Sequence, residues 1–283
     1  MSVGIEIGNK SAVVCSRQSR RSVVPCPTSV LRVHVDRHTD TVGATVAFGC
    51  LNIDSIANKI DDLLEVRRDL SIDVLFLVET WHDTDSVTFR RLRVDGFQVI
   101  DRPRPRSRIN VDKLLTNHGG VAAIAVPGVR LAMLDLGTTE PKTFEFLCVR
   151  VTSGTSSCVV IVIYRTGTIL QEFFAEMSDL LDRVATLIDP LYILGDVNIH
   201  LDRSDNSSCR QFCDMLASYG MHNRVASPTH DHGRTLDIVA SRDDLPAPSI
   251  DVSDTGLSDH RLLRWSAPLV LPRPVHISTI RRS

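Results

Sequence analysis

The chain has 283 residues, 43% of them hydrophobic and 23% charged, with a formal net charge of −2. This is ordinary globular composition, long enough for one large domain with tails or two small ones and for a substantial buried core. A charge this near neutral gives no global basic field for nucleic acid or a membrane surface, so polyanion binding falls to a local basic patch or to bound cations.

Seven cysteines, at 15, 26, 50, 148, 158, 209 and 213, form no CxxC pair. An odd count in a long chain argues against a secreted disulfide scaffold and reads as reduced, mostly buried small apolar residues. No apolar run approaches the roughly 18–20 residues that cross a bilayer. The start, MSVGIEIGNKSAVVCSRQSRR, lacks a charged segment followed by a continuous apolar one, so it is a poor signal peptide. The expectation is an intracellular protein, nuclear or cytoplasmic.

Residues 1–44 read as a loose tail, rich in Ser, Arg, Thr and Val and without a sustained period. TVAFGCLNI then reads as a short buried strand, and SIANKIDDLLEVRRDL as a helix with Ser55 at its N-cap. DVLFLVET is a second apolar strand, ending in Glu79. The loop DRPRPRSR, 101–108, is the best basic patch in the chain, and its alternating prolines exclude a helix or a central strand. GGVAAIAV, VRLAMLDL, FEFLCVRV and CVVIVIY follow as short strands of antiparallel hairpins. Leu170, Phe173, Phe174, Met177, Leu180, Leu181 and Val184 make the stripe of the clearest amphipathic helix. LYILGDVNI is a strand, CRQFCDMLASYG a helix with a Gly C-cap, TLDIVAS a strand and HRLLRWSAP the last. Residues 269–283 read as a second loose tail. The pattern from 45 to 268 carries no linker, and two sheets flanked by helices accommodate it. Phe212 and Trp265 read as core.

Strand after strand ends in polar groups: Asn52 and Asp54, Glu79, Tyr164 and Arg165, Asp196 and Asn198, with Asp237 inside TLDIV and Asp259-His260 before the last strand. Any one of these is ordinary turn chemistry. Together they put carboxylates, amides, a phenol and an imidazole at strand ends, where charges need partners or a metal. Side chains at i and i+2 of a strand share a face, which would project Asn52 with Asp54 and Asp196 with Asn198 as pairs. Oxygen donors suit Mg²⁺ or Mn²⁺, and no Cys/His spacing suits zinc. His260 beside an acid supplies acid–base capacity near neutral pH. His200 reads as a loop histidine. His230 and His232 in PTHDHG are possible metal ligands that read instead as a solvated turn.

The ordered series LNID, LVETW, VIYR, LGDVNIH, TLDIV and LSDH resembles the endonuclease/exonuclease/phosphatase superfamily over about residues 45–268. NIDSIANKIDDLL, NHGGVAAIAV and PTHDHGRTLDIV narrow the resemblance to the apurinic-type endonuclease domain of non-LTR retrotransposons. It implies an α/β four-layer sandwich: two packed, mostly antiparallel β-sheets flanked by helices, the DNase-like fold. It implies Glu79, Asn52, Asp54 and Asp259 around a Mg²⁺ (or Mn²⁺) ion, although retrotransposon domains more often carry Arg at the Asp54 position. It also implies Tyr164 facing the phosphate, Asp196 activating water, Asn198 on phosphate, and Asp237 paired with His260. The family often has Pro after YR, where this chain reads YRTGT. The function so implied is a metal-dependent phosphodiesterase that nicks DNA, retrotransposon-derived and without a reverse transcriptase domain. The alternatives are a lipid or nucleotide phosphoesterase and a silent nucleic-acid-binding remnant. DNA is the expected partner, touched by Arg102, Arg104, Arg106 and Arg165; neither a membrane nor an obligate protein partner is indicated.

Overall fold

The apolar runs become strands because both faces of each are covered. In β7 (Ser156–Arg165), Cys158, Val160, Val162 and Tyr164 face one core, while Val159, Ile161 and Ile163 face another. A strand buried on both sides loses the polar alternation and reads as one apolar stretch. In this computed structural model the described residues are 45–104, 118–167 and 171–268. The tails, the DRPRPRSR loop beyond Arg104 with its Arg106, Leu170, Cys15 and Cys26 lie outside them.

One sheet contains β1 (Thr45–Asn52), β2 (Val74–Val78), β3 (Gln98–Arg102), β4 (Val121–Ala125), β11 (Asp251–Ser253) and β12 (Leu262–Pro268) in the order β11-β12-β1-β2-β4-β3. The other contains β5 (Val129–Met133), β6 (Phe144–Ser153), β7, β8 (Leu191–Asp196), β9 (Met221–Asn223) and β10 (Asp237–Arg242) in the order β5-β6-β7-β8-β10-β9. Each sheet is antiparallel except at its centre, where β1 runs parallel to β2 and β7 parallel to β8. Between the sheets lies a core with Phe48, Phe76, Tyr192 and Trp265 at its heart. The outer face of the first sheet is covered by α1 (Ile60–Asp69) and α2 (Val87–Val94), that of the second by α3 (Gln171–Val184) and α4 (Ser207–Ser218). The architecture is therefore a four-layer α/β sandwich, and the described residues pack as one compact unit.

Most elements lie where the sequence places them, with four kinds of difference. Helix α1 begins at Ile60, not at Ser55, because Ser55 has φ 76° and its hydroxyl accepts from the Ala57 amide instead of capping. Helix α2 is a short element that β-branched and charged residues concealed; Ser86 caps it, and Phe89 and Leu92 are its buried side. The four expected hairpin strands divide between the sheets: β5, β6 and β7 form a meander, whereas β4 inserts between β2 and β3. Finally, β9 and β11 are three-residue edge strands with too few residues to show a period. Cys50, Cys148, Cys158 and Cys209 are buried free thiols and Cys213 is an exposed one. Phe212 and Trp265 are core.

Candidate active site

Two central parallel pairs set the geometry of one rim. The C-terminal ends of β1, β2, β7 and β8 meet there, joined by the starts of β10 and β12, which run the other way. Across the second sheet Glu145, Tyr164, Asp196 and Asp237 stand in direct register, one per strand. Registered residues share a face, and this row is aligned with the inter-sheet side chains of its strands. In the first sheet Asn52 continues the inward set of Phe48 and Cys50.

The rim closes between sheets through Asn52. Its Nδ2 donates to Glu79 Oε1 at 2.8 Å and to Asp196 Oδ2 at 3.0 Å. Its Oδ1 accepts from the Asp54 amide at 3.2 Å. Asn52 thus bridges two carboxylates as a donor, with its oxygen turned away from them. Glu79 has φ 53° and Trp81 φ 52°, a left-handed backbone that side chains with a Cβ rarely adopt. The bend holds because Thr80 and Trp81 donate their amides to Gly120 and Gly119 O, and Trp81 Nε1 donates to Glu79 Oε2. Such strain persists only where the surroundings over-determine it, and it gathers at functional sites.

At the tip of β8, Asn198 has φ 51°, and its amide returns to Asp196 Oδ1 at 2.8 Å. The strand alternation therefore ends at Asp196, and the expected side-by-side projection of Asp196 and Asn198 gives way to a turn. The same holds for Asn52 and Asp54, where Asp54 has φ 46° and is exposed. Asn198 Nδ2 donates to Arg165 O at 2.7 Å and to Asp196 Oδ2 at 3.2 Å. Its amide is engaged by the chain's own groups, in contrast to the phosphate contact implied by the resemblance. Gly195 is what lets β8 approach β7 here: φ is 121°, and a Cβ at that position would stand 2.0 Å from Ile163 O.

His260 sits opposite, in the loop tied to β1 by Ser258 Oγ donating to Asn52 O at 2.6 Å. Its Nδ1 lies 2.8 Å from Asp237 Oδ2 and its Nε2 3.8 Å from Asp196 Oδ2. All three residues are buried. Burial acts to lower the His260 pKa, but the hydrogen bond and charge of Asp237, helped by Asp196 and Asp259, outweigh it and raise it to about 9. Burial and then the charge of Asp237 push Asp196 up to about 8 against the opposing pull of His260, the Asn198 amide and Asn52. Burial, followed by the charge of and a hydrogen bond to Glu79, keeps the Tyr164 phenol protonated far above its ordinary range. Glu79, Asn52, Asp196, His260 and Asp237 thus form one connected line, with Tyr164 beside it.

The remaining expected residues are placed differently. Asp259 is exposed, and its Oδ2 lies 3.2 Å from His230 Nε2. Arg102 pairs with Glu140 and donates to Phe146 O. Arg104 pairs with Glu145 and lies 5.5 Å over the Tyr164 ring, so it borders the rim already neutralised. Arg165 is a correction. The strand parity that brings Tyr164 inward sends Arg165 to the helical side, where its guanidinium is buried over Phe173 and donates to Gly167 O at 2.7 Å. It offers no surface to a polyanion. His200 is half-buried near Asp202 and Arg234. His232 is an exposed turn histidine, whereas His230 is not a solvated turn residue: its ring packs edge-on against His260. The sequence offered His230 as a possible metal ligand but favoured a solvated turn, and it did not single out Glu145. Alternation along β6 would have placed Glu145 on the inner face; the PTHDHG motif marked His230 but not its packing against His260.

The donor set fits a divalent cation. Asp196 and Asp237 are buried carboxylates, with Glu79 joined to Asp196 through Asn52, and His260 is the cationic partner nearest them. Burial first and the charge of Asp237 second raise the Asp196 pKa, and an ion with hard-oxygen preference would stabilise the carboxylate against both.

No family model matches the sequence, and no curated protein matches it. Solved structures do. A 3′ phosphatase, NExo from Neisseria, bound to a product DNA hairpin, is 16% identical; the match covers 78% of this chain and 98% of that one at a TM-score of 0.58. The endonuclease domain of TRAS1, a telomere-specific non-LTR retrotransposon, is 14% identical over 80% of this chain and 99% of its own, also at 0.58. The AP endonuclease LMAP from Leishmania major is 14% identical over 84% and 93%, at 0.56. The fold is thus the DNase-like sandwich of endonuclease/exonuclease/phosphatase proteins.

Proposed function

We propose that this chain is a divalent-cation-dependent phosphodiesterase and that its substrate is DNA, which it nicks internally. The observation that carries the reading is the unbroken line Glu79–Asn52–Asp196–His260–Asp237, formed by residues up to 208 positions apart in sequence and brought to one strand-end rim. Glu79 and Asp196 would hold Mg²⁺ or Mn²⁺, with Asn52 fixing the spacing between them. The ion supplies charge neutralisation at the phosphoryl oxygen.

The protein groups divide the rest. Asp196, once ionised, orients and deprotonates the attacking water; the Asn198 amide and Asn52 hold its two oxygens in place. Tyr164 stays a neutral phenol and donates to a phosphate oxygen. His260, kept cationic by Asp237, faces the developing phosphorane with Nε2 and transfers a proton to it, a contribution of about 10²–10⁴-fold for a positioned acid. DNA is favoured by the endonuclease activities and the product DNA named for the similar structures.

Incubation with supercoiled plasmid tests this. Relaxation with Mg²⁺, none with EDTA, and none for His260→Ala or Asp196→Ala of retained fold are expected. Full relaxation by either variant removes the assignment. One observation favours a second reading, a phosphoesterase for a small or lipid substrate: Arg102 and Arg104 are already paired with acids and Arg165 is buried. Release of phosphate from such a substrate without plasmid nicking supports that reading.

A further inference from the structure

We propose that His230, Asp259 and His260 form a second cation site, selective for a transition metal such as Zn²⁺, and that its occupation silences the rim. The inhibitory half of this rests on the function proposed above; the binding half does not.

One donor atom from each of the three residues lies within 4.8 Å of the other two. His230 Nε2 and Asp259 Oδ2 are 3.2 Å apart. Tetrahedral Zn²⁺ with bonds of about 2.0–2.1 Å sets neighbouring donors about 3.3 Å apart, so this pair already has the required span. With its donor within 4.8 Å of the other two, His260 needs to close by at most about 1.5 Å.

The orientation of both rings is set from behind. His260 Nδ1 faces the Asp237 carboxylate at 2.8 Å, which leaves Nε2 as its coordinating atom. His230 Nδ1 accepts from the His232 amide at 3.1 Å, which turns Nε2, carrying the ring proton, toward Asp259; coordination at Nε2 requires that proton to move to Nδ1 and the His232 contact to open. Metal-bound histidines commonly donate the far N–H to a carboxylate, which is the relation of His260 to Asp237. The scaffold is also rigid. His230 and His260 form an antiparallel β-bridge, flanked by Asp231 N donating to Asp259 O at 2.9 Å and Arg261 N donating to Thr229 O at 2.8 Å. The two ring centroids are 4.8 Å apart.

The donor chemistry separates this site from the oxygen-rich one at Glu79. Two imidazoles and a carboxylate suit Zn²⁺, and Mg²⁺ prefers all-oxygen surroundings with retained water. Asp259 is exposed, so the ion enters from solvent; the Nε2 proton of the His260 imidazolium leaves to solvent, and the His230 proton moves from Nε2 to Nδ1. Once bound, it holds His260 Nε2, the same atom that faces Asp196, and removes it from proton transfer.

The test uses the full chain, stripped of metal, with Zn²⁺ and with Co²⁺ as a spectroscopic substitute. Zn²⁺ affinity is measured against a chromophoric chelator, and Co²⁺ ligand-field bands report low coordination number. His230→Gln is expected to weaken the tightest Zn²⁺ site by more than about tenfold and to remove the Co²⁺ bands, as loss of a ligand does. His222→Gln, which disrupts the separate exposed pair with Asp243, leaves both unchanged. If His230→Gln fails to show a normal thermal melt, Asp259→Asn replaces it, since that side chain is exposed. Equal Zn²⁺ affinity in wild type and in a folded variant overturns the site. In plasmid assays at fixed Mg²⁺, Zn²⁺ should inhibit wild type, and His230→Gln should need more than about tenfold more Zn²⁺ relative to its own zinc-free rate. Identical inhibition curves overturn the inhibitory role. A lost Zn²⁺ site in a protein that hydrolyses no phosphodiester keeps the site and overturns the function proposed above.

Discussion

Asp237 and His260 are 23 residues apart in sequence, both buried, and joined Oδ2 to Nδ1 at 2.8 Å. The contact decides which imidazole nitrogen faces the rim and raises the proton affinity of the ring despite its burial. Asp237→Asn keeps the shape and removes the charge. The His260 pKa is then expected to fall from about 9 toward the ordinary value, read by NMR titration of the imidazole. Activity is expected to fall by about 10²–10⁴-fold with KM little changed. A His260 pKa that stays high in this variant would show that Asp237 is not its cause.

The pH dependence of stability follows from the same two groups. A raised folded-state pKa means the native protein holds its proton more tightly than the unfolded chain. The His260 contribution is therefore full below about pH 6.5 and lost as pH climbs through about 9. Asp196, raised from 3.8 to about 8, acts in the same direction, its contribution fading from the acid side upward. The Tm of chelator-treated protein is expected to fall steadily between about pH 5 and pH 9.5, and to fall less in Asp237→Asn. A Tm that rises over that range contradicts both assignments.

Gly195→Ala is expected to be severely destabilising. The new Cβ would meet the Ile163 carbonyl at 2.0 Å in a backbone with φ of 121°. Backbone strain of about 1–3 kcal/mol adds to a clash that forces β8 away from β7. A loss of about 4 kcal/mol or more, and so of about 8–16 °C in Tm, is expected. Gly154→Ala, at a turn where a Cβ meets nothing within 4 Å, is the comparison and should cost far less.

Arg165→Met distinguishes a buried structural arginine from a phosphate contact. Its Nε and Nη2 have no hydrogen-bond partner among the described residues, and its charge is buried over Phe173. Replacement by an apolar chain of similar length is expected to change stability by less than about 1.5 kcal/mol in either direction. The slope of log DNA affinity against log salt should not change, whereas loss of a phosphate contact lowers it by about one. A reduced slope returns Arg165 to the surface role that the sequence suggested.

The kinds of group at the rim, and their order, are written in the chain. Apolar strands ending in Asn52, Glu79, Tyr164 and Asp196, with Asp237 and His260 following, were legible because burial on both faces leaves only strand ends free for polar side chains. The helical stripe from Phe173 to Val184 was legible for the same reason, as a periodicity imposed by one covering face. Tertiary structure alone decided what meets what. It divided the four expected hairpin strands between two sheets, turned Arg165 under the helical layer and Asn198 back on Asp196, and set His230 against His260. Local pattern records which face of a strand is buried; it does not record which distant strand supplies the cover. The register that aligns Tyr164, Asp196 and Asp237, and the bridge that joins His230 to His260, come from packing two sheets across one core, and no short stretch of the chain carries that information.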